Sequence, residues 1–147
     1  MSLTDNRPAY QRQVAWLDPR DTAGDGQTAR QIFAALPPPL TGNGPDPSQR
    51  LNQHIDGLSL APHLDKTLAM LSTGTRRKVL LVAALAADAP VTLLDQPFMA
   101  LDRPSIDYLL ALLAEAARHP RRAWVVADYV APPGVALAGV IELGVSS

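Results

Sequence analysis

The chain of 147 residues contains no cysteine. It has no disulfide framework, no thiolate zinc site and no cysteine nucleophile, and nothing in it marks an oxidising compartment. An excess of one charge is missing too: thirteen Lys and Arg offset fourteen Asp and Glu, leaving a net charge near −1. No long-range field gathers phosphate backbones or anionic lipid, so nucleic acid is not expected as a partner. The longest apolar run, Val79 to Ala87, is well short of the roughly 20 residues that span a bilayer. The N-terminal MSLTDNRPAYQRQ has no apolar core and does not read as a signal peptide. Histidines are few and scattered, and His63 has no second ligand at i+3 or i+4 to hold a metal. These absences leave one ordinary globular domain, expected in the cytoplasm, either soluble or held at a membrane by a partner.

Proline and glycine concentrate in Leu36 to Pro47 (LPPPLTGNGPDP), where missing N–H donors and fixed φ forbid helix or central strand, so this stretch reads as a linker or loop. Ahead of it, Gln13 to Leu17 reads as a short strand and Thr28 to Leu36 as a short helix. Behind it, Ser48 is a candidate cap for a helix running toward Asp56, and Pro62 to Met70 reads as a further helical turn or two. RRKVLLVAALAA predicts a largely buried helix from Arg76, with Arg76, Arg77 and Lys78 forming a solvated face at its start. Val91 to Leu94 (VTLL) has the β-branched, apolar character of a central parallel strand. Asp102 or Arg103 caps a helix that has Pro104 in its first turn and runs until His119-Pro120. Trp124 to Ala127 and Val140 to Leu143 complete the expected strands, an α/β pattern with right-handed crossovers.

Two places carry chemistry. VTLLDQP puts Asp95 and Gln96 at the carboxyl edge of a buried strand, where α/β sheets bind ligands. Asp95 is there either a turn cap before Pro97 or a magnesium-holding carboxylate. LSTGT, Leu71 to Thr75, leaves backbone N–H groups uncovered at the positive end of a helix dipole. It is either an N-cap through Ser72 or Thr73, or an anion site.

Taken together, LSTGTRRKVLLVAALAADAPVTLLDQPFMALD resembles the stretch of ATP-binding cassette (ABC) ATPases from signature loop through Walker B strand to D-loop. In that resemblance LSTGT corresponds to LSGGQ, VTLLDQ to hhhhDE, and Ala100-Leu101-Asp102 to the ALD of the D-loop. It implies that Ser72, Thr73, Gly74 and Thr75 contact the nucleotide of a partner subunit, that Asp102 belongs to the D-loop, and that Asp95 holds Mg²⁺. Leu36 to Met70 corresponds to the helical subdomain, Gln13 to Pro19 to the strand leading into the Q-loop, and WVVADY to the strand ending at the switch histidine. The implied fold is a partial P-loop NTPase-like α/β domain with a helical subdomain and a few parallel strands. Its regions are 1–36 (strand and Q-loop-like), 37–90 (linker, helical subdomain and signature helix) and 91–147 (Walker B, D-loop and H-loop-like).

The departures from the family pattern have chemical consequences. Gln96 stands where the family has the glutamate that polarises the attacking water, and an amide cannot take that proton. Asp128 stands at the switch-histidine position, where a carboxylate repels a γ-phosphate. Asp18 or Pro19 falls where the Q-loop glutamine belongs. The phosphate-cradling GxxxxGK[ST] is missing: of the two lysines, Lys78 lies in the signature helix and Lys66, though followed by Thr67, has no glycine in the preceding run. The chain by itself is therefore expected to bind no ATP-Mg tightly and to be inactive. It reads as a fragment whose Walker A loop lies upstream of Met1, or as a naturally short, catalytically inactive ABC-like regulatory or docking module; an α/β domain outside the family is the third reading. The resemblance implies an intact protein that uses ATP and Mg²⁺ and partners a second ABC ATPase subunit and transmembrane subunits. It would sit peripherally at the inner face of the membrane, and an exposed sheet edge would favour self-association.

Overall fold

A computed structural model describes the backbone of residues 14–17 and the whole of residues 22–38, 46–118 and 123–141. A parallel sheet of β1 (Val14–Leu17), β2 (Val91–Asp95) and β3 (Ala123–Ala127) has the order β1-β2-β3. Val14 pairs with Val91 and Val91 with Ala123, so the three strands end together on one side, with Asp95 opposite Ala127. Thr92 and Leu94 are buried on one face of β2, and alternate residues Val91, Leu93 and Asp95 are only half-buried on the other. Period-2 alternation of this kind marks a sheet covered more fully on one side.

Among the described residues, six helical pieces surround or extend the sheet. Helix α1 (Ala29–Ala34) begins with a capping box, in which the Thr28 hydroxyl accepts from Gln31 N–H while the Gln31 side chain accepts from Thr28 N–H. Helix α2 (Pro47–Gly57) is capped by Asp46 rather than by Ser48, because Pro47 takes the first helical position and its missing N–H is no loss there. Two 3₁₀ turns, Ala61–His63 and Leu68–Met70, follow where helical turns were expected. Helix α3 (Thr73–Ala86) starts three residues earlier than the basic run suggests, since Ser72 supplies the cap. Helix α4 (Arg103–Ala116) is capped by Asp102, with Pro104 in its first turn as expected. Val140 and Ile141 are irregular and exposed rather than strand, while Glu142 and Leu143 lie outside the described residues.

One core joins these pieces. Val79, Leu81, Val82 and Leu85 of α3 pack with Leu94 of β2, Leu109 and Leu113 of α4, and Phe33, Ile55, Leu58, Leu60 and Leu68 from the preceding helical segments. Gly57 ends α2 flat against the ring of Tyr108, into which a Cβ would project. Arg50 of α2 pairs with Asp88 beyond α3 at 3.0 Å, Asp88 being almost fully enclosed. Sheet and helical segment are thus tied together around α3, which carries the sequence between the two chemically suggestive places.

Candidate functional site

Helix α3 presents its first turn beside the segment that connects β2 to α4. Ser72 and Thr73 are exposed there. The Ser72 hydroxyl accepts from Thr75 N–H at 3.2 Å and donates to Thr75 Oγ1 at 2.9 Å, so the N-cap alternative is realised. An exposed cap of this kind leaves other first-turn N–H groups directed outward at the positive end of the dipole. Gly74 approaches the connecting segment so closely that a Cβ would lie 2.5 Å from the Ala100 carbonyl oxygen. Glycine at 74 is required by this packing, whatever the loop binds.

The connecting segment holds two non-glycine residues in the left-handed region, Gln96 at φ 47 and Ala100 at φ 62. Both conformations are strained for an L-residue and persist only where neighbours fix them. Gln96 N–H donates to Ala127 O at 2.7 Å, continuing the β2–β3 ladder past Asp95. The Gln96 carbonyl accepts from Arg77 Nη2 at 2.6 Å and from Met99 N–H at 3.2 Å. Asp102 closes the segment: its carboxylate caps α4 through Ser105 N–H at 3.0 Å and meets Lys78 Nζ at 3.2 Å. Hydrogen bonds from Ser105, and after them Lys78, hold the Asp102 carboxyl below the usual carboxylate range.

Arg77 and Lys78 are the residues that the sequence reading misplaced. Both are buried, not solvated. Each stands four residues before a core position, Leu81 and Val82, so the helical period already put them on the inner face. Their long stems cover apolar surface and their heads find polar partners on the connecting segment. Arg76 pairs instead with Asp25 at 2.7 Å, fastening α3 to the turn ahead of α1.

Asp95, Gln96 and Asp128 come to one edge of the sheet, because β2 and β3 end in register. Asp95 and Gln96 are half-buried and Asp128 is exposed, its carboxylate accepting from Tyr129 N–H at 2.7 Å. Asp128 also lines a shallow groove of about 190 Å³ with Phe98, Arg103 and Ile106. Among the described residues no three His, Cys, Asp or Glu side chains gather to hold a metal ion. One half-exposed carboxylate at a strand edge suits a magnesium ion that arrives with its nucleotide and keeps its waters, since Mg²⁺ is commonly held by one or two carboxylates plus substrate phosphates. For the phosphates themselves the described residues provide no lysine-bearing cradle. Asp18 and Pro19, where the Q-loop glutamine was sought, lie outside the described residues, as does the side chain of Trp16.

A parallel sheet whose middle strand ends in an acidic residue, backed by a serine-capped helix, defines an α/β domain. The chain belongs to the ABC transporter family, whose profile matches residues 1–99. It is 34% identical over 120 residues to the thiamine import ATP-binding protein ThiQ of Photorhabdus laumondii, a match covering 81% of this chain and 50% of ThiQ. With the cytochrome c biogenesis ATP-binding export protein CcmA of Nitrosococcus oceani it shares 33% identity over 111 residues, 76% of this chain and 49% of that one. Among solved structures, an ATP-binding subunit of an ABC transporter superposes with a TM-score of 0.71 at 22% identity, over 88% of this chain and 54% of that chain. A dimeric ATP-binding cassette bound to ADP and Pi gives a TM-score of 0.66 at 20% identity, over 86% and 56%. These superpositions show the fold. The chain spans about half the length of the curated relatives it matches. Among the described residues no helix is long and apolar enough to cross a membrane.

Proposed function

We propose that this chain supplies the signature-loop side of an ABC ATPase site, with Ser72 to Thr75 closing over ATP-Mg held by the phosphate loop of a second ABC subunit. The observation that carries this reading is the exposed first turn Ser72–Thr73 of α3, which the contact of Gly74 with Ala100 sets beside the segment running from Asp95 and Gln96 to Asp102. First-turn N–H groups of a fourteen-residue helix would face the anionic nucleotide, adding partial positive charge without a charged side chain. Asp95 would take Mg²⁺ on this chain's own side. In the intact protein the site would couple ATP binding to movement of transmembrane transporter subunits, from a peripheral position at the cytoplasmic face of the membrane. A second reading, an inactive docking or regulatory module, is favoured by the amide of Gln96 and the carboxylate of Asp128, neither of which does the work of the family's glutamate and histidine.

The test is sedimentation of this chain with an intact ABC subunit, with and without ATP-Mg. Association that requires ATP-Mg is expected, and it should be abolished by Thr73→Asp. Thr73 is exposed at the first position of α3, where an acid stabilises the helix, so loss of association in that variant would come from charge facing the nucleotide rather than from unfolding. Association without nucleotide, or unchanged by Thr73→Asp, would leave Leu71 to Thr75 as a helix cap and favour the docking module. Calorimetry of the chain alone should show no micromolar binding of ATP-Mg. Turnover should stay absent even in Gln96→Glu.

A further inference from the structure

We infer that Arg77 is a positioning residue for Gln96, holding the peptide that follows the end of β2 so that the Gln96 side chain leaves the strand in one fixed direction. The inference rests on the resemblance that puts Gln96 at the position of the family's water-polarising glutamate, and it extends that placement to a side chain on another element. Three observations support it. The guanidinium is buried, with 9% of the residue exposed, and Nη2 donates to the Gln96 carbonyl at 2.6 Å. Gln96 has φ 47 although Pro97 after it favours extended backbone, so the conformation depends on neighbours that hold it. The other side of the same residue is held by Gln96 N–H donating to Ala127 O at 2.7 Å. A left-handed glutamine is therefore gripped at its N–H by β3 and at its carbonyl by α3.

A cation donating to a neutral carbonyl in a part-buried setting is among the stronger protein hydrogen bonds. It also suits the place. Lysine at 78 is already committed to Asp102, and Gly74 lies against Ala100, so Arg77 is the contact that reaches the strand end of the segment while its neighbours reach the helix end. A displacement of the first turn of α3 would pass through Arg77 to the peptide of Gln96. In the intact protein this would link a movement of the first turn of α3 to the orientation of Gln96 at the end of β2.

The experiment uses the full chain and no nucleotide. Amide hydrogen exchange and the Gln96 carbonyl ¹³C resonance are followed in wild type, Arg77→Met, Arg77→Lys and, as a control, Arg30→Met, which breaks only an exposed pair with Asp65. Arg77→Met keeps the apolar stem and removes the donor. Exchange at Gln96 and Met99 should accelerate at least about tenfold, the loss expected for a hydrogen bond to a charged group. The Gln96 carbonyl resonance should move with it. Arg77→Lys restores one donor and should recover most of both, while Arg30→Met should leave them at wild-type values. Wild-type exchange and carbonyl shift at Gln96 in Arg77→Met would overturn the inference, as would equal disturbance by Arg77→Met and Arg77→Lys. Should Arg77→Met fail to fold, Arg77→Leu, which also lacks the donor, decides: a moved Gln96 carbonyl with Leu109 and Leu113 unmoved supports the role, and an unmoved one sinks it. Because no nucleotide enters, failure here and failure of the sedimentation test are separate results.

Discussion

The α-carbon of Gly74 faces the carbonyl of Ala100 at a distance that admits no side chain, a Cβ there standing 2.5 Å from the oxygen. The neighbour is backbone, and Ala100 is itself left-handed at φ 62, so it cannot yield by rotating a side chain. Gly74→Ala is expected to push the Phe98–Asp102 stretch away from α3 and to destabilise the fold by about 1–3 kcal/mol, the range for forced overpacking. Urea denaturation would measure it. An alanine variant as stable as wild type would mean that the close approach is not maintained in solution. The same contact means that an acid at position 74 would add a steric push to its charge, which is why Thr73 is the cleaner position for testing the proposed association.

The buried pair Arg50–Asp88 supports a second prediction. Asp88 is 4% exposed and left-handed at φ 48, and Arg50 comes to it from α2 across the end of α3. Removing one partner strands a buried charge, whereas removing both does not. Arg50→Met is expected to lower stability by about 3–5 kcal/mol. The double variant Arg50→Met, Asp88→Asn should recover a substantial part of that loss. Chemical denaturation of the four proteins forms a double-mutant cycle, and strict additivity would show that the two side chains do not depend on each other.

Elements whose ends carry their own chemistry were legible in the sequence. Asp102 with Pro104 after it announced α4, and the β-branched run before Asp95 announced β2, because caps and strand patterns act locally. Their joint spacing with LSTGT carried the family. The cap of α2 was misread because Ser48 was preferred to Asp46, although Pro47 at the first helical position pointed one residue back. Arg77 and Lys78 were read by charge when their i+4 relation to Leu81 and Val82 was the stronger signal. The left-handed turn at Gln96 was not legible at all. No glycine marks it, and what holds it is Ala127 from one direction and Arg77 from another, contacts that exist only once the chain has folded.

His54 gives a prediction about pH. It lies buried in α2 with Nδ1 2.7 Å from the Tyr108 hydroxyl, the two rings edge to face. Burial, and secondarily the charge of Arg50, push its pKa down from 6.5 to about 4. Tyr108 is pushed up to about 12 by burial and then by Glu115 and Asp56, so it stays protonated throughout. Because the folded-state value of His54 lies below the unfolded one, the unfolded chain takes the proton first as pH falls. The stability associated with a neutral His54 is complete above about pH 6.5, declines as pH drops through that value, and is gone near pH 4, a total of about 3 kcal/mol. Carboxylates that lose their partners in acid add their own slope, so the measurement is a difference. Stability by urea denaturation at several pH values from 7 down to 4.5 should fall more steeply in wild type than in His54→Gln, by up to about 1.4 kcal/mol per pH unit. Parallel curves for the two proteins would show that His54 protonates in the folded chain as readily as in the unfolded one, and that the Tyr108 contact does not exclude the charge.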